Sequence, residues 1–330
     1  MTHRYRVYGY TLATDHRMTS YLAPSDAEPD VVFVCRPSLE EAPGREELVY
    51  RSLLPGAGDD GLFSFFRLGD DAFRLAYPTT ADFVIRRDRI DCRLFDAQYA
   101  YWVEIALLGP VLSFWLELRG SIALHASAVV EAGEAIGFIA TSKSGKTSLA
   151  ASFMAGGAAL LTDDILPLHR TEVGEIMARP AFPQLRMWPD QVRAFVGDHS
   201  SFPRAHPAYD KRRIPAAAVG AFHAEAVRLG ALCLPERGPH HASADITVSR
   251  IGGHEAFMSL LQSSFAAAVL ERMPEMQQRR LSVVADILRR VPVYRLSYPH
   301  GFEHLHDVRS KVAKLLARSA DQDGPAPGQS

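Results

Sequence analysis

The sequence predicts an α/β protein with a mostly β N-terminal region, and three observations carry that reading. Short apolar and aromatic runs, separated by clusters of Gly, Pro and Asp, fill roughly the first hundred residues. Alternating strand-like and helix-like runs follow from Gly120 onward, the pattern of an α/β layer. Within them, residues 136–150 read as strand, small-residue loop and helix in immediate succession.

The composition fits. With 330 residues, 47% hydrophobic, 22% charged and a formal net charge of -2, the chain has the balance of a globular protein. A pI near 6.7 removes the global electrostatic argument for nucleic acid or an anionic membrane as partner, so any anionic partner must be met locally. Cys35, Cys92 and Cys233 lie far apart in sequence and form no Cys-x-x-Cys pair, the usage of a reducing, cytoplasmic compartment, and neither a disulfide framework nor a zinc site is expected. No secretory signal is read at the N-terminus. The most apolar stretch, 105–118, holds Gly109-Pro110 and Glu117 and falls short of the about 20 residues a membrane span requires, so it reads as a buried helix.

Taken in order, the runs at 5–8, 31–34, 63–66, 83–85 and 90–92 read as strands, with turn clusters at 55–61 and at Gly69-Asp70-Asp71. Apolar spacing turns helical from about 98 to 118. A boundary is therefore expected near residue 100, between a region over 1–100, a candidate for substrate recognition, and an α/β domain over 101–318. Strands at 122–130 and 135–140, joined by Glu131-Ala132-Gly133-Glu134, make a hairpin. Strands are further expected at 159–162, at 165–168, around Leu185, at 229–234, at 246–248 and at 293–296. Helices are expected after Gly145, after Pro189, and over 263–272, 276–290 and 302–317. The tail 319–330, rich in Gly, Pro, Gln and Asp, reads as disordered.

The segment Ile136-Gly137-Phe138-Ile139-Ala140-Thr141-Ser142-Lys143-Ser144-Gly145-Lys146-Thr147-Ser148 carries the chemistry. A small-residue loop between a strand and a helix brings backbone N–H groups and a helix N-terminus onto phosphates. Thr141 to Thr147 are the candidate nucleotide-binding residues: Thr141, Ser142, Lys143, Ser144 and Gly145 line the loop, Lys146 reaches the β and γ phosphates, and Thr147 coordinates Mg2+. Ala140 stands where such a motif has its first glycine. Only five of the 36 basic residues are lysines, and two of them, Lys143 and Lys146, fall in this loop.

Two further elements belong with it. The apolar run Leu160-Leu161-Thr162 ends in Asp163-Asp164, which reads as a pair of carboxylates at a strand edge, facing either a phosphate-bound metal or an attacking hydroxyl, or else as an exposed turn. His125, in Leu124-His125-Ala126-Ser127, is either a core histidine or a group beside the phosphates. Lys211-Arg212-Arg213 is either a solvated face or a clamp on the transferring phosphoryl group or on an acidic acceptor, and Arg237 is either a surface residue or a second cation reaching the site.

Together these elements resemble the catalytic domain of HPr kinase/phosphorylase and the related serine kinases, whose fold is akin to phosphoenolpyruvate carboxykinase. His125 lies 21 residues before Lys146 and Asp164 lies 17 after Thr147, the family's spacing of histidine, loop lysine and aspartate. The resemblance covers residues 115–190. It implies a P-loop kinase domain of that type using ATP and Mg2+, with Asp164 as the base toward a serine hydroxyl, His125 beside the phosphates, and Asp163 supporting metal or geometry. Gln184 stands where the family has a metal carboxylate, so a second metal contact there is expected to be weak or absent, and Arg186 beside it is a candidate phosphate or substrate contact. A basic Gly-Arg-Asn segment is missing, so reversal of the reaction is not expected. The implied acceptor is a peptide or small protein, by preference a ribosomally made, lasso-type precursor peptide. HPr itself, or a nucleotide-binding regulator without transfer, are the alternatives, and assembly of identical subunits stays open.

Overall fold

The protein is described by a computed structural model covering residues 2–37, 46–52, 63–140, 144–238 and 245–322. The turn cluster at 55–61, the loop residues Thr141, Ser142 and Lys143, and the end of the tail from 323 lie outside the described residues.

Nine strands build the first sheet: β1 (His3–Val7), β2 (Tyr10–Thr14), β3 (Ala23–Pro24), β4 (Val31–Arg36), β5 (Glu46–Arg51), β6 (Ser64–Leu68), β7 (Ala72–Tyr77), β8 (Ala81–Ile85) and β9 (Arg89–Leu94). Their order is β3-β1-β2-β4-β9-β8-β7-β6-β5, with β4 parallel to both β2 and β9. The expected runs correspond to β1, β4, β6, β8 and β9, and the structure adds the others. β2 follows β1 through the two-residue turn Tyr8-Gly9, both at positive φ, the geometry that matches strand twist in a tight hairpin. Cys35 and Cys92, far apart in sequence, are register partners on β4 and β9, and both are free thiols.

A helical rod, Ala97–Leu118, packs on this sheet through Val103, Leu107, Phe114 and Trp115. It is long and apolar enough to cross a membrane by length and composition, but 67% of its most apolar window is buried inside the protein. The rod is not the one regular helix expected. It divides into α1 (Ala100–Ala106), a wide turn over Leu107–Val111 and α2 (Leu112–Leu118), because Pro110 has no N–H and Gly109 leaves helical geometry. Tyr8 Oη donates to the Leu108 carbonyl at 2.6 Å and Ser113 Oγ to that of Gly109 at 2.8 Å, satisfying acceptors in the broken turn.

The second sheet has seven strands in the order β11-β10-β12-β13-β17-β19-β18, with β11 also pairing β17. Its members are β10 (Ile122–Glu131), β11 (Glu134–Ile139), β12 (Ala159–Arg170), β13 (Ile176–Ala178), β17 (Val227–Arg237), β18 (Thr247–Ile251) and β19 (Val293–Tyr298). Helices α3 (Lys146–Ala155) and α8 (Leu305–Gln322) cover one face through Leu149, Phe153, Val308 and Val312. Helices α5 (Gly253–Gln262) and α7 (Pro274–Arg290) cover the other through Ala256, Leu260, Val284 and Ile287, with the short α6 (Ala267–Leu270) between them in sequence. Burial from both sides explains why β10 is apolar nearly throughout instead of alternating. A smaller sheet, β14 (Gln184–Met187), β16 (Tyr209–Pro215) and β15 (Arg204–His206), stands beside it, with α4 (Pro189–Phe195) after β14.

Three expectations are corrected. The strands read at 159–162 and 165–168 are one strand, β12, so Asp163 and Asp164 sit in its middle and not at an edge or in an exposed turn. The helix expected over 263–272 is instead α5, ending at Gln262, followed by the single turn α6; Gly252-Gly253 masks the start of α5 in sequence. The last helix continues to Gln322, so residues 319–322 are helical and not part of a disordered tail.

Candidate functional site

The loop and α3 meet at Gly145, whose φ of +96° suits glycine alone among common residues. A Cβ there would lie 3.1 Å from Tyr298 Oη and 3.3 Å from Arg237, so the backbone is approached closely by both side chains. The N-terminus of α3, beginning at Lys146, carries the positive end of the helix dipole. Ala140 has no left-handed φ, so the missing first glycine imposes no backbone strain there. Its carbonyl accepts from Lys146 Nζ at 2.7 Å. Lys146 is only 7% exposed, and burial lowers its pKa to about 8 against the pull of Asp163 and Asp164.

Across the cleft, β10 and β12 place Ser127 opposite Asp163. Asp163 Oδ1 accepts from Ser127 Oγ at 2.6 Å and Thr147 Oγ1 at 2.8 Å, while Oδ2 accepts from the Arg186 N–H at 2.8 Å. Asp164 Oδ2 accepts from the Arg186 guanidinium at 2.9 Å, and Oδ1 lies 3.2 Å from His125 Nδ1. Burial acts to raise the Asp164 pKa, but Arg186 and then His125 outweigh it and hold the carboxyl at about 2. Neighbouring residues on a regular strand face opposite ways. The φ of +134° at Asp164 breaks that alternation, and both carboxylates line one cleft. Such a backbone in a non-glycine residue costs on the order of 1–3 kcal/mol, a strain the surrounding ion pairs hold in place.

The cleft has a volume of about 580 Å³. It collects His125, Ser144, Gly145, Lys146, Thr147, Asp163, Asp164, Arg186 and Lys211 of the residues expected from sequence. Lys211 also lies over the Trp188 ring, 5.5 Å from its centroid. The basic run does not act as a unit: alternation along β16 turns Arg212 away from Lys211 and Arg213, and of those two only Lys211 lines this cleft. Arg212 turns to Asp210 at 2.7 Å and to the Phe202 carbonyl at 3.2 Å, while Arg213 reaches Thr19 outside this cleft. Gln184 is buried, and its Oε1 accepts from the Tyr21 N–H at 3.1 Å, which makes it an anchor for the N-terminal segment.

Sequence reasoning missed Ser127, Trp188 and Tyr298, and gave Arg237 chiefly a surface role, whereas Arg237 lines the cleft. Ser127 had a signal, two residues after His125 on the same strand; Tyr298 had none. Tyr298 Oη is buried with no hydrogen-bond partner among the described residues, and burial lifts its pKa to about 12. A buried orphan hydroxyl beside Gly145, a helix N-terminus and a desolvated lysine together fit a polyphosphate. Thr147 and Asp163, already in contact, are the hydroxyl and carboxylate that would hold a phosphate-bound Mg2+. Among the described residues no cluster of three or more His, Cys, Asp or Glu forms a free-standing metal site.

No family model matches the chain, and no curated protein matches it. Among solved structures, it is similar to the HPr(Ser) kinase/phosphatase from Coxiella burnetii at 9% identity, over 61% of this chain and 97% of that one, with a TM-score of 0.31. At that overlap the likeness carries no weight for function, which rests on the residues of the cleft.

Proposed function

We propose that the protein is an ATP-dependent phosphotransferase that phosphorylates a serine hydroxyl on a peptide or small protein. One observation carries this reading: Gly145, Lys146 and Thr147 at the start of α3 share a cleft with Asp163 and Asp164, and Arg186 and His125 flank Asp164. Phosphoryl transfer asks little covalent chemistry of a protein and much positioning and charge neutralisation, which this arrangement supplies.

Lys146 and the N–H groups of α3 hold the β and γ phosphates. Thr147 and Asp163 would hold Mg2+, which neutralises charge on the phosphate oxygens when bound. Asp164, ionised at neutral pH, accepts a hydrogen bond from the acceptor hydroxyl and orients it in line with the γ phosphorus. As the serine Oγ–P bond forms, the bond from phosphorus to the bridging oxygen breaks, ADP leaves with that electron pair, and the hydroxyl proton passes to Asp164. A carboxylate at a pKa of about 2 is a weak base in the free protein. The negative γ phosphate arriving beside it raises that value, and a loose transition state releases the proton late.

Among acceptors we favour a ribosomally made precursor peptide, the lasso type included, over the folded HPr protein. The test of the nucleotide reading is calorimetric titration of wild type and Lys146→Ala with Mg·ATP. The wild type should bind, and the variant should lose about tenfold or more in affinity or turnover, because a cation facing the phosphates is gone. No binding to the wild type, or equal binding and turnover by both, overturns the reading.

A further inference from the structure

A second cavity, of about 630 Å³, opens on the other side of Arg186. Its walls come from the segment after β2, from α1 and the following turn, and from β14 and β15–β16. We propose that this cavity binds an acidic segment of the acceptor next to the phosphorylated serine, a deepening that rests on the phosphotransferase reading above.

The lining charge is lopsided. Arg17, Arg204, Arg213 and Arg186 all border the cavity, and Glu104 is the one acid among its lining residues. Glu104 is already spent: its carboxylate accepts from the N–H of Thr19 at 2.8 Å, the Thr19 hydroxyl at 2.8 Å and the Ser20 N–H at 2.6 Å. Those bonds outweigh the cost of burial and keep it ionised, folded into the wall as a brace for the 19–20 segment. The arginines are differently placed. The Arg213 guanidinium donates to the neutral Thr19 hydroxyl and pairs with no carboxylate among the described residues. Arg17 makes no salt bridge among the described residues and is exposed. Arg204 shares Asp210 with Arg212 at 3.5 Å and keeps 54% of its side chain exposed. A cavity bordered by several guanidinium groups, whose one acid is already engaged, is complementary to an anionic segment, and a planar guanidinium takes a carboxylate through paired N–H bonds.

The rim adds purchase for a peptide. Tyr101 is 43% exposed and contacts the ring of His206, which in turn contacts Tyr209, 59% exposed. Exposed tyrosines beside arginines are the residue types that carry affinity in protein–peptide contacts. Arg186 supplies the direction. Arg186 lines both cavities and its guanidinium bonds Asp164, so a segment held by Arg17, Arg204 and Arg213 delivers its hydroxyl past Arg186 onto Asp164.

The test is fluorescence anisotropy with fluorescein-labelled synthetic peptides of equal length, each with one serine flanked by glutamates, alanines or lysines, and no nucleotide present. The glutamate peptide should bind the wild type about tenfold or more tighter than the alanine peptide, and the Arg17→Glu/Arg204→Glu double variant should lose that preference or turn it toward lysine. Equal binding of the three peptides overturns the proposal, as does a preference that survives in a double variant with an unchanged circular dichroism spectrum. If the double variant does not fold, Arg17→Gln and Arg204→Gln take its place; each should shrink the preference severalfold, and an undiminished preference in both overturns the proposal. Binding is read apart from catalysis. A glutamate peptide that binds but receives no phosphate from ATP contradicts the phosphotransferase reading and leaves the acidic-segment assignment standing, whereas transfer without charge preference does the reverse.

Discussion

The cleft over α3 and the cavity beyond Arg186 have similar volumes, about 580 and 630 Å³, yet they are built in opposite ways. In the cleft the polar groups are tied to one another: Asp163 holds three hydrogen bonds, Asp164 is gripped by Arg186 and His125, and Lys146 is desolvated. In the cavity Glu104 is engaged in the wall, while Arg17 is exposed and Arg204 keeps half of its side chain in solvent. On the proposed reading, the difference separates two tasks. Chemistry needs groups fixed before the substrate arrives, and recognition of a flexible segment tolerates side chains that settle on binding.

The largest effect should come from the fixed side. Asp164→Asn keeps the size of the carboxylate but removes its charge and its capacity to take a proton, and transfer should fall on the order of 10²- to 10⁴-fold while Mg·ATP still binds. Steady-state kinetics beside calorimetry checks this, and near wild-type turnover would move the base to another group. A smaller change belongs to the cavity: Arg204→Glu should raise KM for an acidic serine peptide about tenfold, a larger factor than its effect on kcat. Equal loss in both constants would place Arg204 in the reaction and blur the division.

A pH titration sharpens the comparison further. With a pKa lowered to about 8 by burial, Lys146 in the free protein loses its cation as pH rises through 8, and phosphates bind the protonated form. Affinity for Mg·ATP should therefore hold below pH 8 and fall above it, by at most about tenfold per unit for one coupled proton. Lys146→Arg should flatten that fall, since arginine stays charged across this range. The smallest expected effect is structural. Ser127→Ala removes one of three bonds to Asp163 and should cost about 1 kcal/mol of stability, read by thermal denaturation, with little change at the peptide cavity.

These two regions also differed in how far they could be read from sequence. The loop and α3 were legible because strand, small residues, Lys146 and Thr147 are contiguous and obey local rules. The carboxylate pair was half legible: Asp163 and Asp164 were singled out, but their acidity suggested an interruption between two strands. Bonds from Ser127, Thr147 and the Arg186 N–H keep them inside one strand instead, and the φ of Asp164 that turns both toward the cleft leaves no mark in an L-residue sequence. Lys211, Arg212 and Arg213 looked like one patch, since β16 was not recognised as a strand that sends neighbours to opposite faces. The second cavity could not be read at all. Its arginines come from positions 17, 186, 204 and 213, and only the packing of the first sheet on α1 and β14 brings them together.

The central claim is that one cleft both holds ATP and passes its γ phosphate to a serine. Its most direct measurement is incubation of the wild-type protein, Lys146→Ala and Asp164→Asn with γ-phosphate-labelled ATP, Mg2+ and the glutamate-flanked serine peptide, with the labelled residue located by mass spectrometry. The account expects label on the serine with the wild type and a large loss with both variants. ATP bound without label on any peptide, or label transferred equally well by Asp164→Asn, would contradict it.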